Sequence, residues 1–377
     1  MKMALLVCVG LAVGALSWRG AYAQTIVKIG HVGPLTGAIA NLGKDNERGA
    51  TLAVEEINRE HLIIGGESIV FQLDSQDDAA DPRTATQVAQ RLVDDGVVAV
   101  VGHMTSGTTI PASKIYSDAS VVEISPSATN PAYTEQGFKT TYRLVATDAA
   151  LGPALAGYAQ KNLGIKTVAI VDDSTAYGQG LANQFEKRAK SLGLTIVSHD
   201  ASSDKAIDFR AILTKIKGCH PDAIMYGGME ATGAPFVKQA KQLGLSSVVL
   251  SGDGVCVDDF PKLAGEASDS VVCAEAGMPL SNMARGPEFS RRFEARFSQP
   301  ILLYAPSTYD AVYVIVDAMK RANSTERAKI LSAMPATNYS GVSGNISFDS
   351  KGDLKNSTIT LFRFKGGSKV PLSVARS

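Results

Sequence analysis

The sequence predicts an α/β fold with parallel-rich sheets, arranged as two similar units in series. Three observations carry this reading. Strands and amphipathic helices alternate from residue 25 to 275, the same cadence restarts after Thr147, and the composition is that of a folded chain. Of the 377 residues 45% are hydrophobic and 20% charged, with Lys+Arg 37 balancing Asp+Glu 37. Such a chain has enough apolar surface to offset its ordering entropy. Neither the total nor any run supplies the basic excess that phosphate contacts need, so no nucleic-acid partner is expected.

In order, residues 26–32 alternate as a first strand, and 47–58 form a helix with Ala50, Ala53, Val54 and Ile57 at helical spacing. Residues 68–74 are the next strand. Asp81-Pro82 starts a helix: Asp81 can cap the free amides, Pro82 suits the first turn, Val88, Leu92 and Val93 supply the buried face, and Gly96 stops it. A strand at 97–102, a helix at 108–119 and strands at 121–125 and 141–145 complete a pattern of parallel strands with helices on both faces. The second run has helices at 151–163, 180–192, 209–217 and 236–243, with strands at 167–172, 195–199, 223–228 and 247–251. After residue 275 the cadence breaks. Phe289, Phe293 and Phe297 mark a helix, 309–320 another, and 346–348 and 358–364 are strands; this tail is expected to return to both units and complete them.

The amino terminus is expected to be a signal peptide, residues 1–23. Lys2 is a positive start, 3–16 is apolar, and Ala21-Tyr-Ala23 fits a small-x-small cleavage site before Gln24. The apolar run is too short for a spanning helix. Cleavage after Ala23 removes Lys2, Arg19 and Cys8, leaving two more acidic than basic side chains and an expected periplasmic location. In that oxidising compartment Cys256 and Cys273 can close a short loop, a cross-link of about 3 kcal/mol, with Cys219 left over; the alternative is three buried free thiols.

Enzyme signatures are missing, and no catalytic residue, cofactor or metal is expected. The 5 histidines stand singly, without the spacing a zinc site needs. Gly178-Gln-Gly180 lacks the third glycine of a dinucleotide fingerprint, and 37–44 has the wrong spacing for a phosphate loop. Asp74, Asp77, Asp78 and Asp81 lack the glycine and terminal Glu of a calcium loop.

Small hydroxyl residues and glycines instead follow the predicted strands, where open α/β sheets bind ligands. Gly102-His-Met-Thr-Ser106-Gly107-Thr-Thr109 enters a helix whose first amides suit a carboxylate, and Ser125-Pro-Ser127-Ala-Thr129 adds further donors. In the second unit, Asp172-Asp-Ser-Thr-Ala-Tyr177-Gly178 and Ser251-Gly-Asp253-Gly254 supply an aromatic ring and a carboxylate. Any one stretch is compatible with ordinary turn and cap chemistry. Together they describe anion donors on one wall and a cation acceptor on the other, the charge pattern of an α-amino acid.

These stretches occur in order with Ile29-Gly-His-Val-Gly-Pro-Leu-Thr-Gly37, Asp77-Asp78, Val101-Gly-His103, Tyr177-Gly-x-Gly180, Tyr226-Gly-Gly228 and Phe348-Asp-x-Lys-Gly-Asp353. With them the whole mature chain resembles the leucine/isoleucine/valine-binding family of periplasmic substrate-binding proteins. The resemblance implies a type I periplasmic binding protein: two Rossmann-like lobes joined by three hinge crossovers and closing over an amino acid. It places lobe I at 24–147 and 277–357 and lobe II at 148–276 and 358–377. It further implies a monomer that delivers its ligand, a branched-chain or other aliphatic amino acid, to a membrane ABC permease. The alternative is a ligand-sensing, amide-binding or aromatic-compound-binding protein of the same fold.

By the same resemblance Ser106, Ser127 and Thr129 hold the amino acid head group, Ser127 through its backbone. Tyr177 closes from the second lobe, and Asp253, where the family has Glu, accepts from the ammonium. Leu42 and Met229 stand where the family often has Tyr, and Tyr304 matches a first-lobe aromatic, so the side-chain pocket is expected to be more apolar. Ala79 and Thr105 occupy the neighbourhood of a family disulfide that this chain lacks.

Overall fold

Alternating and continuous apolar runs become strands, and runs with a period near 3.6 become helices, in a computed structural model that describes residues 24–376. The expected signal peptide, its cleavage site and Ser377 lie outside the described residues.

The first sheet contains β1 (Gln24–Gly33), β2 (Ile63–Ile64), β3 (Glu67–Asp77), β4 (Ala99–Val101), β5 (Val122–Ser125) and β6 (Thr141–Arg143), in the order β2-β3-β1-β4-β5-β6. Strands β3, β1, β4, β5 and β6 run parallel and β2 is antiparallel at the edge. Helices α1 (Ala40–Arg59), α2 (Pro82–Asp94), α3 (Ser106–Asp118) and α4 (Ala132–Glu135) connect them. The chain builds outward on one side of β1 and then crosses to the other, so the β1/β4 gap is the topological switch point where such sheets bind ligands.

The second sheet contains β7 (Thr167–Asp172), β8 (Thr195–Ala201), β9 (Ala223–Gly227), β10 (Val248–Ser251) and β11 (Val271–Glu275), joined by α5 (Asp148–Leu163), α6 (Ala176–Ser191), α7 (Arg210–Cys219), α8 (Glu230–Gln242) and α9 (Phe260–Ala264). Its switch point lies between β7 and β9, which pair in parallel. The remaining helices α10 (Gly286–Phe297), α11 (Ala305–Ala322) and α12 (Arg327–Ala333) share an apolar core with the first sheet, in which Phe289, Phe293, Val312 and Ile330 meet Val27, Ile29, Ala99 and Ile124. The short pair β12 (Tyr339–Ser340) and β13 (Asn345–Ile346) lies beside them, while β14 (Thr358–Lys365) and β15 (Ser368–Arg376) add an antiparallel hairpin to β11. The tail therefore divides between the two sheets. Its last strand and β11 have no counterpart in the sequence reading: β15 carries a proline and six exposed positions that blur its alternation, and β11 is a nearly continuous buried run that does not alternate.

Several helices start earlier than their apolar periodicity, α1, α6 and α8 among them. Helix α1 begins at Ala40 rather than 47, α6 at Ala176 rather than 180 and α8 at Glu230 rather than 236. The added turns hold mostly small and polar residues, Gly178 and Gly233 among them, and their few buried apolar positions, Leu42, Tyr177 and Ala234, are too sparse to leave a periodic signal. Asp81 does cap α2, accepting from the amides of Arg83 and Thr84, and Asp77 accepts from Leu35 N and the Thr36 hydroxyl. The acidic stretch is thus used for backbone, and no cluster among the described residues is arranged to hold a metal ion. No helix among them is long and apolar enough to cross a membrane.

Candidate functional site

The carboxyl ends of both sheets meet at one cavity of about 530 Å³. From the first sheet it is lined by Ile39 after β1, Ala80 after β3, Met104, Ser106 and Gly107 after β4, and Ser127 after β5; Tyr304 enters from the amino terminus of α11. From the second come Asp173 and Tyr177 after β7, Lys205 after β8, Met229 and Thr232 after β9, and Asp253 after β10.

The first wall is built of neutral donors. Thr105, the N-cap of α3, leaves the backbone uncapped and pairs its hydroxyl with that of Thr108 at 2.9 Å, so the first-turn amides of Ser106 and Gly107 stand at the cavity. A helix start of this kind favours an anion. The Ser106 hydroxyl accepts from Asn130 N at 3.3 Å, and Ser127 donates its hydroxyl to Met104 O at 2.8 Å. Ser127 thereby spends its side chain on the loop. No histidine bonds either serine among the described residues; His103 is held by Asp78 at 2.8 Å and Tyr116 at 3.1 Å.

Acidic and aromatic groups make the buried part of the second wall; Lys205, which also lines it, is exposed. Asp253 is 1% exposed, and its two oxygens each accept from a tyrosine: Tyr177 and Tyr304, both at 2.8 Å. Gly254 N donates to the Tyr177 hydroxyl oxygen at 2.9 Å. This corner requires Gly254, because a Cβ there would lie 2.7 Å from Met229 Sδ and 2.9 Å from the Tyr177 ring. Burial raises the Asp253 carboxyl above its ordinary value, opposed by the two phenol donors, and burial followed by the Asp253 charge raises Tyr177 well above 10. Asp173 Oδ1 accepts from the Thr175 hydroxyl at 2.6 Å, and burial pushes this carboxyl up to about 6. Asp173 Oδ1 also accepts from Thr175 N at 3.0 Å, and buried carboxylates held only by neutral donors favour a cation beside them.

Tyr304 ties the walls together. It packs with the first-sheet elements, where the fully buried Asp45 of α1 accepts from the amides of Leu302, Leu303, Tyr304 and Ala305, yet its hydroxyl reaches Asp253. Asn130 makes a second crossing, donating its amide to Ala176 O at 2.5 Å. Beneath the polar contacts Ile39, Leu42, Met104 and Tyr304 share one apolar cluster with Tyr226, Val255 and Phe260 of the second sheet.

Six of the eight expected site residues, Ser106, Ser127, Tyr177, Met229, Asp253 and Tyr304, line this cavity. Leu42 does not, which corrects its expected place in the side-chain pocket. Helix α1 already runs through position 42, so Leu42 is fully buried on its packed face and Ile39, just before the helix, takes the wall. Thr129 also sits behind the lining, fully buried, and its hydroxyl makes no hydrogen bond of regular geometry among the described residues. Beside it lies a residue the sequence reading passed over. Asp148, at the start of α5, is fully buried with both oxygens similarly unpaired, and burial together with the Asp253 charge pushes it up to about 8 against the pull of Thr129 and Arg143. Asp173 is within reach of the sequence, since it directly follows β7, whereas Ile39 stands just before α1 and Asp148 opens α5, both well past the end of the preceding strand, where nothing in the local pattern marks them.

Cys256 and Cys273 are joined in a disulfide with Cα atoms 5.4 Å apart, tying the loop that bears Asp253 to β11; Cys219 is free and exposed.

Residues 26–369 match the model of a family described as periplasmic binding protein. The chain is 31% identical over 344 residues, 91% of each protein, to the leucine-, isoleucine-, valine-, threonine-, and alanine-binding protein of Pseudomonas aeruginosa. Its fold superimposes on the leucine binding protein LivK of Thermotoga maritima with a TM-score of 0.85 at 29% identity, covering 92% of this chain and 98% of that one. The branched-chain amino acid transporter substrate binding protein LivJ of Streptococcus pneumoniae, in complex with isoleucine, gives 0.84 at 27% identity, covering 94% and 100%.

Proposed function

We propose, from the premise that this chain belongs to the periplasmic binding protein family, that it captures a branched-chain amino acid between its lobes and presents the closed form to an ABC permease. The observation that carries the reading is the opposition of charge preferences across one cavity. Uncapped amides and a hydroxyl at Ser106 and Gly107 face the buried carboxylate of Asp253, and an α-amino acid carries the matching carboxylate and ammonium on adjacent atoms. Ser106 and the 127–129 backbone bind the carboxylate, Thr129 bridges the two charges, Asp253 accepts from the ammonium, and Tyr177 covers the ligand. Ile39, Met104 and Met229 supply the apolar end; methionine adapts its shape, which suits a group of aliphatic side chains.

The lobes in this reading comprise 24–147 with 277–357, and 148–276 with 358–377. The protein is a carrier and not an enzyme, exported by a signal peptide cleaved after Ala23 to act in the periplasm as a monomer. Closure follows from the ligand binding the closed arrangement better than the open one.

Thermal shift of refolded, ligand-stripped protein against the common amino acids, with calorimetry on the hits, tests the reading. Leucine, isoleucine or valine at 100 times its dissociation constant is expected to add about 2.7 kcal/mol of stability. Stabilisation only by amides or aromatic acids, or by no compound, overturns the amino acid assignment.

A further inference from the structure

We infer that Arg143 is a positioning residue for the head-group loop, and that the distant 349–353 turn exists to neutralise and orient it. The inference rests on the reading of Ser106, Ser127 and Thr129 as the head-group wall.

Arg143 ends β6 and is fully buried, an expensive place for a guanidinium unless every donor is used. Its donors are spent on the loop that follows β5. One terminal nitrogen donates to Ala128 O at 2.6 Å and to Asn130 O at 3.0 Å, and the other donates to the Thr134 hydroxyl at 3.0 Å. The carbonyl between them, Thr129 O, accepts from Asp148 N at 2.8 Å. With the Ala128, Thr129 and Asn130 carbonyls all drawn to partners behind the loop, Ser127 is left at the cavity and Asn130 N is left to donate to Ser106. The loop has no regular secondary structure over these residues, so the guanidinium replaces the ladder that would otherwise fix them.

Charge balance comes from 210 residues away: Asp353 accepts from Arg143 Nε at 2.8 Å. Asp353 is set in place by Asp349, whose Oδ1 accepts from the amides of Lys351, Gly352 and Asp353 at 2.8, 2.9 and 3.0 Å. Gly352 O in turn accepts from Arg143 N at 2.9 Å. That approach requires glycine, which sits at a φ of 99°, where a Cβ would lie 2.0 Å from Thr141 O. Among the described residues, no hydrogen bond or ion pair of the turn reaches a residue lining the cavity. Its contacts lead to the guanidinium, to Thr134 and to β6.

The test is a double-mutant cycle read by leucine calorimetry, with hydrogen exchange of the 128–130 amides in ligand-free protein. Thr129→Val reports on the loop, and Arg143→Lys keeps the charge but loses the planar fork. We expect Thr129→Val to weaken leucine about tenfold in the native background but less than about twofold in Arg143→Lys, because a displaced hydroxyl has no bond left to lose. The 128–130 amides are expected to exchange at least about tenfold faster, with β4 unchanged. Asp353→Asn is expected to shift the cycle and the exchange in the same direction, and it carries the test should Arg143→Lys fail to fold. Additive losses with unchanged exchange overturn the positioning role, as does slower folding or lower stability alone. Should Thr129→Val leave leucine binding unchanged in the native background, the head-group reading fails, and loop exchange decides the role of Arg143 independently.

Discussion

The two walls of the cavity are held in place by different means. The loop at 126–131 offers neutral donors and is fixed from behind by a buried cation, whereas the loop bearing Asp253 offers a charge and is fixed by the Cys256–Cys273 bond. Neutral hydroxyls and amides can be buried against their own loop at little cost. A carboxylate taken out of water raises its own pKa and those of its neighbours, as Asp148 and Tyr177 do here, and the segment carrying it needs an anchor that does not depend on the ligand. The donor wall is pre-organised by hydrogen bonding. The acceptor wall stores an unfavourable charge that a bound ammonium relieves.

Removing that charge should break the contrast most completely. Asp253→Ala is expected to weaken leucine binding by about 2–5 kcal/mol, read by calorimetry, since the ammonium loses the carboxylate assigned to it. Affinity near the native value would move the ammonium site elsewhere. Replacing both bridge cysteines by serine should lower unfolding stability by about 3 kcal/mol in denaturant titration. The loss should loosen the Asp253 loop and leave the 128–130 amides unchanged; equal loosening of both loops would erase the distinction between their anchors.

Asp148 sharpens the comparison because it stands where the two walls meet. Its folded value of about 8 lies above the unfolded value of about 3.9, so the folded state holds the extra proton between them, and the stability of ligand-free protein falls as pH rises across that window. Asp148→Asn is expected to gain about 2 kcal/mol at pH 8 and to flatten the decline between pH 5 and 8. A decline of undiminished slope would assign it to other carboxylates, Asp253 and Asp173 first. The smallest effect is expected from Met229→Tyr, which adds a phenol to the apolar end. It should reorder leucine, isoleucine and valine by about 1 kcal/mol or less with unfolding stability nearly unchanged. An unchanged order would remove Met229 from the ligand's surface.

Much of this architecture is legible in the sequence, and the failures are instructive. The strands at 26–32, 68–74 and 167–172 are recovered because each buries a face or faces of its own, which local periodicity reports. The helix starts at Ala40, Ala176 and Glu230 are missed because their first turns hold too few apolar positions to repeat, and those of α6 and α8 line the cavity. Leu42 is assigned to the pocket by family resemblance alone, and the helix that begins at Ala40 buries it in an apolar cluster. Local pattern is weakest where residues face the cavity.

Sequence alone determined the alternating α/β cadence, the donors that follow β4 and β5, the carboxylate at Asp253 and a pair of cysteines close enough in the chain to join. Each is a property of neighbours along the chain. Only the tertiary structure decided that Tyr304 bonds Asp253 across the walls, that Asp148 is buried beside Thr129, and that Asp353 neutralises Arg143. Those partners are 51 and more residues apart or meet through burial, and the energy of a charge depends on what surrounds it in space, which no local pattern encodes.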